Sequence, residues 1–171
     1  MVLLPCMLIE LSAGSIFGRM EEYLKILPGV LVMIPPLLAL RGNINGAMAS
    51  RIGTALHTGV IDPGLRWTRE LKVNVLSSIV LTLIASATIG ILAFLSCTLT
   101  GVRTIGFLKF LEIATLGAVL SGVILSLVTV LVAVESYVRG LDPDNVTAPL
   151  MATVGDLVTI GCIFFVVVLV V

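Results

Sequence analysis

A single carboxylate interrupts the last long apolar run of the chain. Asp156, in "ATVGDLVTIG" (residues 152–161), is the only charged residue between Asp144 and the C-terminus. A carboxylate at membrane depth costs about 2.5–3.5 kcal/mol on insertion scales, and such residues usually face a bundle interior or a water-filled cavity, where they act in transport. Asp156 therefore predicts a cation site inside a membrane. A structural ion pair with Arg41 or Arg51 is the alternative.

Small residues accompany this carboxylate at helical spacing. Ala148, Ala152, Gly155 and Thr159 all lie within about two helical turns of Asp156 and give its side of the helix a small face. A small face lets another backbone approach closely, and it leaves carbonyl oxygens and bound water accessible beside the acid. We expect this face of the last helix to carry the site.

Glycines and amides recur in the second apolar segment, in "RGNINGAMASRIGTALHTG". Gly42 and Gly46 fit the small-xxx-small packing of membrane helices, which is also the alternative to a functional role for these two glycines. Asn43 and Asn45 add amides, which suit ions or water better than lipid. A proline pair directly upstream, at residues 35–36, predicts a kink or break whose freed carbonyls would line a cavity. We expect this segment to form a second wall of the path.

The donor types decide which solute fits. The only histidine, His57, lies at a predicted helix end, where a surface or capping role is expected, and the three cysteines have no metal-ligand spacing and are interpreted as buried free thiols. Carboxylate, amide and carbonyl oxygens suit a hard cation. One carboxylate is sparse for a divalent ion, but a two-fold dimer would bring a second Asp156 to the axis. These residues alone do not single out magnesium, although its retained water shell fits a sparse site.

The elements that position these residues follow from composition. The mean hydropathy is +1.22, with 58% hydrophobic and 12% charged residues, against averages of roughly 45–50% and 25% in soluble domains. We predict an all-α integral membrane protein with one transmembrane domain over residues 1–171. Five runs approach the roughly 20 apolar residues that a span needs. They cover about 1–17, 27–56 with a central break, 71–99, 105–138 and 147–171.

Charged residues outside the path set the orientation and exclude some partners. Zero net charge without a basic cluster argues against nucleic acid. Glu10 interrupts the first run, where it could line the path, form a pair or lie at the interface; a signal peptide is the competing interpretation of that run.

The positive-inside rule, with Arg51 added, favours a cytoplasmic N-terminus. It compares two groups: Arg66, Arg69, Lys72 and Arg139 on one side, and Arg19, Lys25, Arg103 and Lys109 on the other.

Two stretches together carry a family resemblance, and it extends over nearly the whole chain. "PGVLVMIPPLLALRGNINGAMASRIGTALHTG" and "LDPDNVTAPLMATVGDLVTIG" resemble the membrane domain of the MgtE and solute carrier 41 magnesium transporters, in its small archaeal-type form. The resemblance implies five transmembrane helices per subunit, a homodimer in the cell membrane, and an ion path at the subunit interface lined by the second and fifth helices. It implies Mg²⁺ as the transported ion and no cofactor.

The resemblance also implies roles for single residues. Asp156 would hold hydrated Mg²⁺, and the carbonyls of Ala152 and Ala148 would contact its water shell. The glycine-asparagine motif of the second helix would lie near the pore wall, and Glu70 is a loose match to an acidic position of the third helix. That motif falls on Gly42, Asn43, Asn45 and Gly46.

Departures from the family pattern leave alternatives open. These 171 residues contain neither the cytoplasmic acidic domain nor the CBS domains that close the pore in bacterial members. Eukaryotic members fuse two such halves, so one half suggests a homodimer or pairing with another half. Sodium-coupled exchange and a non-transporting assembly subunit are the alternative functions. An enzyme is not expected, because no catalytic motif such as H-E-x-x-H or G-x-S-x-G occurs.

Overall fold

The described chain folds into helices. The computed structural model describes residues 3–19, 21, 29–64 and 66–170, and no strand occurs among them. Residues 1, 27 and 171, where three predicted helices begin or end, lie outside this part. The five helices are α1 (Leu3–Arg19), α2 (Val30–His57), α3 (Arg69–Thr100), α4 (Phe107–Val138) and α5 (Pro143–Val170).

Four of the helices are suited to a bilayer. Within the described residues, α2 to α5 are long and apolar enough to cross a membrane. α1 has 17 residues, somewhat fewer than the about 20 that cross a hydrocarbon core without tilt or thinning. The all-helical membrane architecture is confirmed. That α1 also crosses the membrane, as a fifth span, stays a prediction.

Two apolar clusters define the ends of the bundle. One packs the ends of α1, α3 and α5 against the starts of α2 and α4, around Met33, Phe110 and Val167. We call it the Gly29 end. The other packs the end of α2 and the start of α3 against the end of α4, around Leu56 and Leu71. We call it the His57 end. Helices α2 to α5 therefore run alternately up and down, and α1 runs parallel to α5.

Exposed basic residues divide between these two ends in the grouping that the sequence predicts. Lys25 lies outside the described residues. At the His57 end lie Arg66, Arg69, Lys72 and Arg139, and at the Gly29 end lie Arg19, Arg103 and Lys109.

Local signals explain where helices begin. The Thr68 side chain accepts a hydrogen bond from the Leu71 amide at 3.3 Å and caps α3. Pro143 is the first residue of α5, where its missing amide hydrogen costs nothing. Gly29 precedes α2 with a φ of 85°, a left-handed conformation that glycine adopts without a steric penalty.

One boundary prediction is wrong. The break expected in the middle of the second helix is absent, and α2 is continuous from Val30 to His57 with Pro35 and Pro36 inside it. Each proline removes one backbone hydrogen bond, which leaves the carbonyls of Leu31 and Val32 without their helical donors while the helix continues. The polar residues downstream do not interrupt the helix because their side chains point either inward or outward while the backbone ladder continues.

α3 buries a narrow strip that, apart from Leu71, consists of small and polar residues, and it exposes most of its large ones. The buried strip recurs every three or four positions, while ten large apolar side chains, from Val73 to Leu99, are exposed. This is the reverse of a helix in a water-soluble bundle, and it is typical of a helix that contacts lipid. The strip comprises Leu71, Ser78, Thr82, Ser86, Gly90, Ala93 and Cys97.

Candidate functional site

Asp156 lies in the wall of a cavity between α1, α2 and α5. The cavity has a volume of about 400 Å³, and its α2 wall includes Pro35 and Leu38. The side chain of Asp156 is half-buried. A cavity with a carboxylate at its wall is the environment expected for a hydrated cation rather than for a packed core.

A second carboxylate faces the same cavity. Glu10 of α1 lines it together with Asp156, although 146 positions separate the two residues along the sequence. Two carboxylates in a region of low dielectric raise the local concentration of cations. Sequence reasoning left the role of Glu10 open; the signal was a carboxylate in the middle of a short apolar run.

Neither carboxylate is neutralised within the described chain. Among the described residues, Asp156 and Glu10 form no ion pair or hydrogen bond. The two arginines named in the alternative are engaged elsewhere: Arg51 donates from Nε to the Ala47 carbonyl at 3.1 Å, and Arg41 is buried against α4, where the Cβ of an alanine at Gly122 would lie 2.7 Å from its Nη1. The structural ion pair of Asp156 is therefore not supported.

The small residues predicted around Asp156 divide between two sides of α5: Ala148 and Ala152 are not buried, whereas Gly155 and Thr159 are. Ala152, one turn earlier, is exposed, and Ala148, two turns earlier, is half-buried. Gly155, next to the acid, is buried and packs near the Asn45 amide, whose Nδ2 would lie 3.9 Å from an added Cβ. α5 therefore presents its small open residues on the side of the acid and a buried glycine to α2.

The four α2 residues of the predicted site lie on three different sides of the helix. Gly42 and Gly46 continue the face that Leu38 presents to the cavity, and a methyl group at either would meet no other described side chain or helix within 4 Å. Asn43 is exposed on the outer surface, whereas Asn45 is buried inside the bundle. Asn43 and Asn45 are two positions apart, about 200° around a helix, so they cannot share one wall.

Other candidate residues lie away from this cavity. Glu70 is exposed in the first turn of α3 at the His57 end. His57 is exposed, and its Nδ1 lies 2.9 Å from the Gly53 carbonyl oxygen while its ring meets Tyr137 edge-on at 5.2 Å. These contacts agree with the expected surface role of His57. The three cysteines are buried and free, as predicted: Cys6, Cys97 and Cys162.

The side chains offer few direct metal ligands. Within the described residues, no group of three or more His, Cys, Asp or Glu side chains could hold a metal ion. Two carboxylates with open space beside them offer few of the six to eight oxygen ligands that Ca²⁺ takes. They can hold an ion that keeps most of its own water, as Mg²⁺ does.

Comparison with known proteins agrees with this chemistry. The model of the MgtE family, described as "Divalent cation transporter", matches residues 34–166. The chain is 28% identical over 156 residues to solute carrier family 41 member 2 of Xenopus laevis, covering 88% of this chain and 28% of that protein. It is 26% identical over 160 residues to solute carrier family 41 member 3 of Rattus norvegicus, covering 88% of this chain and 34% of that protein. The chain thus spans about a third or less of these relatives.

Proposed function

This chain belongs to the MgtE family of divalent cation transporters, and from that premise we propose that it moves Mg²⁺ across a membrane along a path lined by α2 and α5. The observation that carries the proposal is the cavity that both Asp156 and Glu10 line. Neither carboxylate has a cationic partner among the described residues. Unneutralised carboxylates at membrane depth are costly, and a passing cation offsets that cost.

Each wall of the path has a defined contribution in this proposal. Asp156 contacts the water shell of the ion, and the carbonyls of Ala152 and Ala148 contact it further along α5. Gly42 and Gly46 of α2 keep the opposite wall free of side chains, which supports passage of an ion with its waters. Hydrated Mg²⁺ is the preferred substrate because it is held through one or two carboxylates and seldom surrenders its whole shell.

A homodimer completes the path in this proposal. Gly42 and Gly46 meet no other described side chain or helix within 4 Å, and Ala152 is exposed. Glycine and alanine faces allow membrane helices to approach closely, and a two-fold axis beside this face would bring a second Asp156 to the same ion. Asn43 lies on the outer surface of α2, where we place it near the second subunit.

We place the protein in the cell membrane with its N-terminus on the cytoplasmic side. The start of α1 lies at the His57 end, together with the exposed Arg66, Arg69 and Arg139. The exposed Arg51 of α2 lies toward the same end. Lysine and arginine favour the cytoplasmic side of membrane proteins.

The test is Mg²⁺ uptake by liposomes that contain the purified protein and a Mg²⁺-sensitive dye. We expect uptake well above that of protein-free liposomes. Repeating the assay with and without a sodium gradient separates a passive path, which ignores the gradient, from the sodium-coupled exchanger. Uptake equal to that of empty liposomes under both conditions would contradict the proposal and favour the non-transporting assembly subunit.

Glu10 provides a further prediction. Glu10→Gln removes one of the two cavity carboxylates, so the Mg²⁺ concentration for half-maximal uptake should rise about three- to tenfold. The effect should be smaller than that of neutralising Asp156, because the Glu10 side chain is exposed while Asp156 is half-buried. Uptake titrations in the same liposomes measure it. Glu112→Gln, at an exposed position of α4, is the control and should not change the titration; an unchanged Glu10→Gln titration would remove Glu10 from the path.

A further inference from the structure

A second polar site lies in the interior of the bundle, and the proposed cation path does not use it. Arg41, Asn45 and Thr159 have exposures of 1%, 0% and 0%. We call these three residues the polar core cluster. None of them lines the cavity that contains Asp156 and Glu10. Buried arginine is rare and is normally paired, so the cluster requires a physical account.

Helix register places Arg41 and Thr159 at one level of the bundle, with Asn45 one helical turn nearer the His57 end. Asn45 of α2 lies against Gly155 of α5. A Cβ added to Gly155 would lie 3.9 Å from Asn45 Nδ2. α2 and α5 run antiparallel, so one turn back on α2, at Arg41, is level with one turn forward on α5, at Thr159. The electrostatic interaction between Arg41 and Cys162, the next residue on that face of α5, agrees with this register.

The bundle makes room for the Arg41 side chain with a glycine on α4. A Cβ added to Gly122 of α4 would lie 2.7 Å from Arg41 Nη1 and 3.3 Å from the methyl carbon of Thr82. At Gly155 an added Cβ would make only an ordinary contact with Asn45 Nδ2, at 3.9 Å. The guanidinium is therefore lodged among α2, α3, α4 and α5, and it does not extend toward solvent.

The hydrogen-bonding groups of the cluster have no partner in the described chain. They are Arg41 Nε and Nη2, Asn45 Nδ2 and Oδ1, and Thr159 Oγ1. Nε and Nη2 form one edge of the guanidinium, the edge that binds an anion with two parallel hydrogen bonds. An uncompensated buried charge is far more costly than a buried neutral group.

No described acidic residue compensates the charge of Arg41. It forms no ion pair with a described carboxylate, and its neighbour Cys162 offers only a weak acceptor when its thiol is neutral. Water would satisfy the donors but leave the charge. At 1% exposure of Arg41, a ligand that supplies a negative charge must be small.

We propose that the polar core cluster binds one small monovalent anion of chloride size. The Nε and Nη2 edge of Arg41 holds the anion, and the Asn45 amide and the Thr159 hydroxyl donate further hydrogen bonds. Anion and guanidinium together are neutral, which removes the net charge from the membrane interior. The site does not depend on the cation path, so Asp156→Asn should retain it.

The experiment is equilibrium binding of radioactive chloride to the purified protein, with thermal unfolding measured in chloride and in gluconate at equal ionic strength. Wild type should bind chloride saturably, about one ion per chain, and should unfold at a higher temperature in chloride. Arg41→Met should weaken binding at least tenfold, and Thr159→Val, which removes one donor, about fivefold. Arg51→Met is the matched control, because Arg51 is exposed on the same helix, and it should bind as wild type does.

Three results would overturn the proposal. They are no saturable chloride binding by wild type, equal unfolding temperatures in chloride and gluconate, and undiminished binding by Arg41→Met; each would mean that the cluster holds only water. If Arg41→Met does not fold, wild type and Thr159→Val provide the comparison. Mg²⁺ uptake is not part of these measurements, so failure of the anion site and failure of the proposed transport are distinguishable.

Discussion

Neutralising Asp156 should reduce Mg²⁺ uptake to near the background of protein-free liposomes. Asp156→Asn keeps the size of the side chain and removes its charge at the wall of the cavity between α1, α2 and α5. A cation that keeps its water shell is held mainly by charge. We expect a loss of at least about tenfold, which corresponds to about 1.4 kcal/mol, with dye-reported uptake in liposomes as the measurement.

A matched control separates this effect from general charge removal. Glu112→Gln neutralises an exposed carboxylate in the first turns of α4 and should transport as wild type does. Mg²⁺-dependent thermal stabilisation gives a second readout: wild type should gain about 2.7 kcal/mol at a hundredfold excess over its dissociation constant, and Asp156→Asn should gain far less. Wild-type uptake by a folded Asp156→Asn protein would contradict the proposed path.

Gly29→Ala should cause the largest loss of stability. Gly29 has a φ of 85°, and an added Cβ would lie 2.9 Å from Phe110 Cζ and 3.0 Å from Cys97 Sγ. The left-handed conformation costs an alanine about 1–2 kcal/mol, and overpacking a core costs about 1–3 kcal/mol more. We expect a loss of about 3 kcal/mol, measured by thermal unfolding in detergent.

Gly59→Ala is the control for the backbone contribution. Gly59 has a φ of 72°, but an added Cβ would meet nothing within 4 Å. Its substitution should cost only the conformational part, about 1 kcal/mol. Equal losses at the two positions would show that the contact of Gly29 with Phe110 and Cys97 is not tight.

Composition and periodicity were sufficient to predict the helices. Five apolar runs became five helices, because a run of apolar residues with few charges has few other stable forms in a bilayer. α5 begins at Pro143, four residues before the predicted start at residue 147. The predicted break in α2 is absent: the helix continues past Pro35 and Pro36, although each proline removes one backbone hydrogen bond.

The candidate site was predictable only in part. Asp156 and the alanines one and two turns before it lie on one helix, so their shared face follows from helical spacing. The approach of Glu10 depends on how α1 docks against α5 and could not be read from either helix alone. The burial of Arg41 depends on Gly122 of α4. This glycine, far away in the sequence, leaves the space that the large arginine side chain fills. Such matches are properties of packing, which local patterns do not contain.

The outward-facing apolar side chains of α3 have a calorimetric consequence. These residues contact lipid whether or not the helices have assembled, so association of inserted helices transfers little apolar surface out of water. The large positive heat-capacity change that marks unfolding of water-soluble domains should therefore be small for helix dissociation in a bilayer. Assembly must instead be stabilised by close packing along the buried strip from Ser78 to Cys97. Its free energy should then vary almost linearly with temperature.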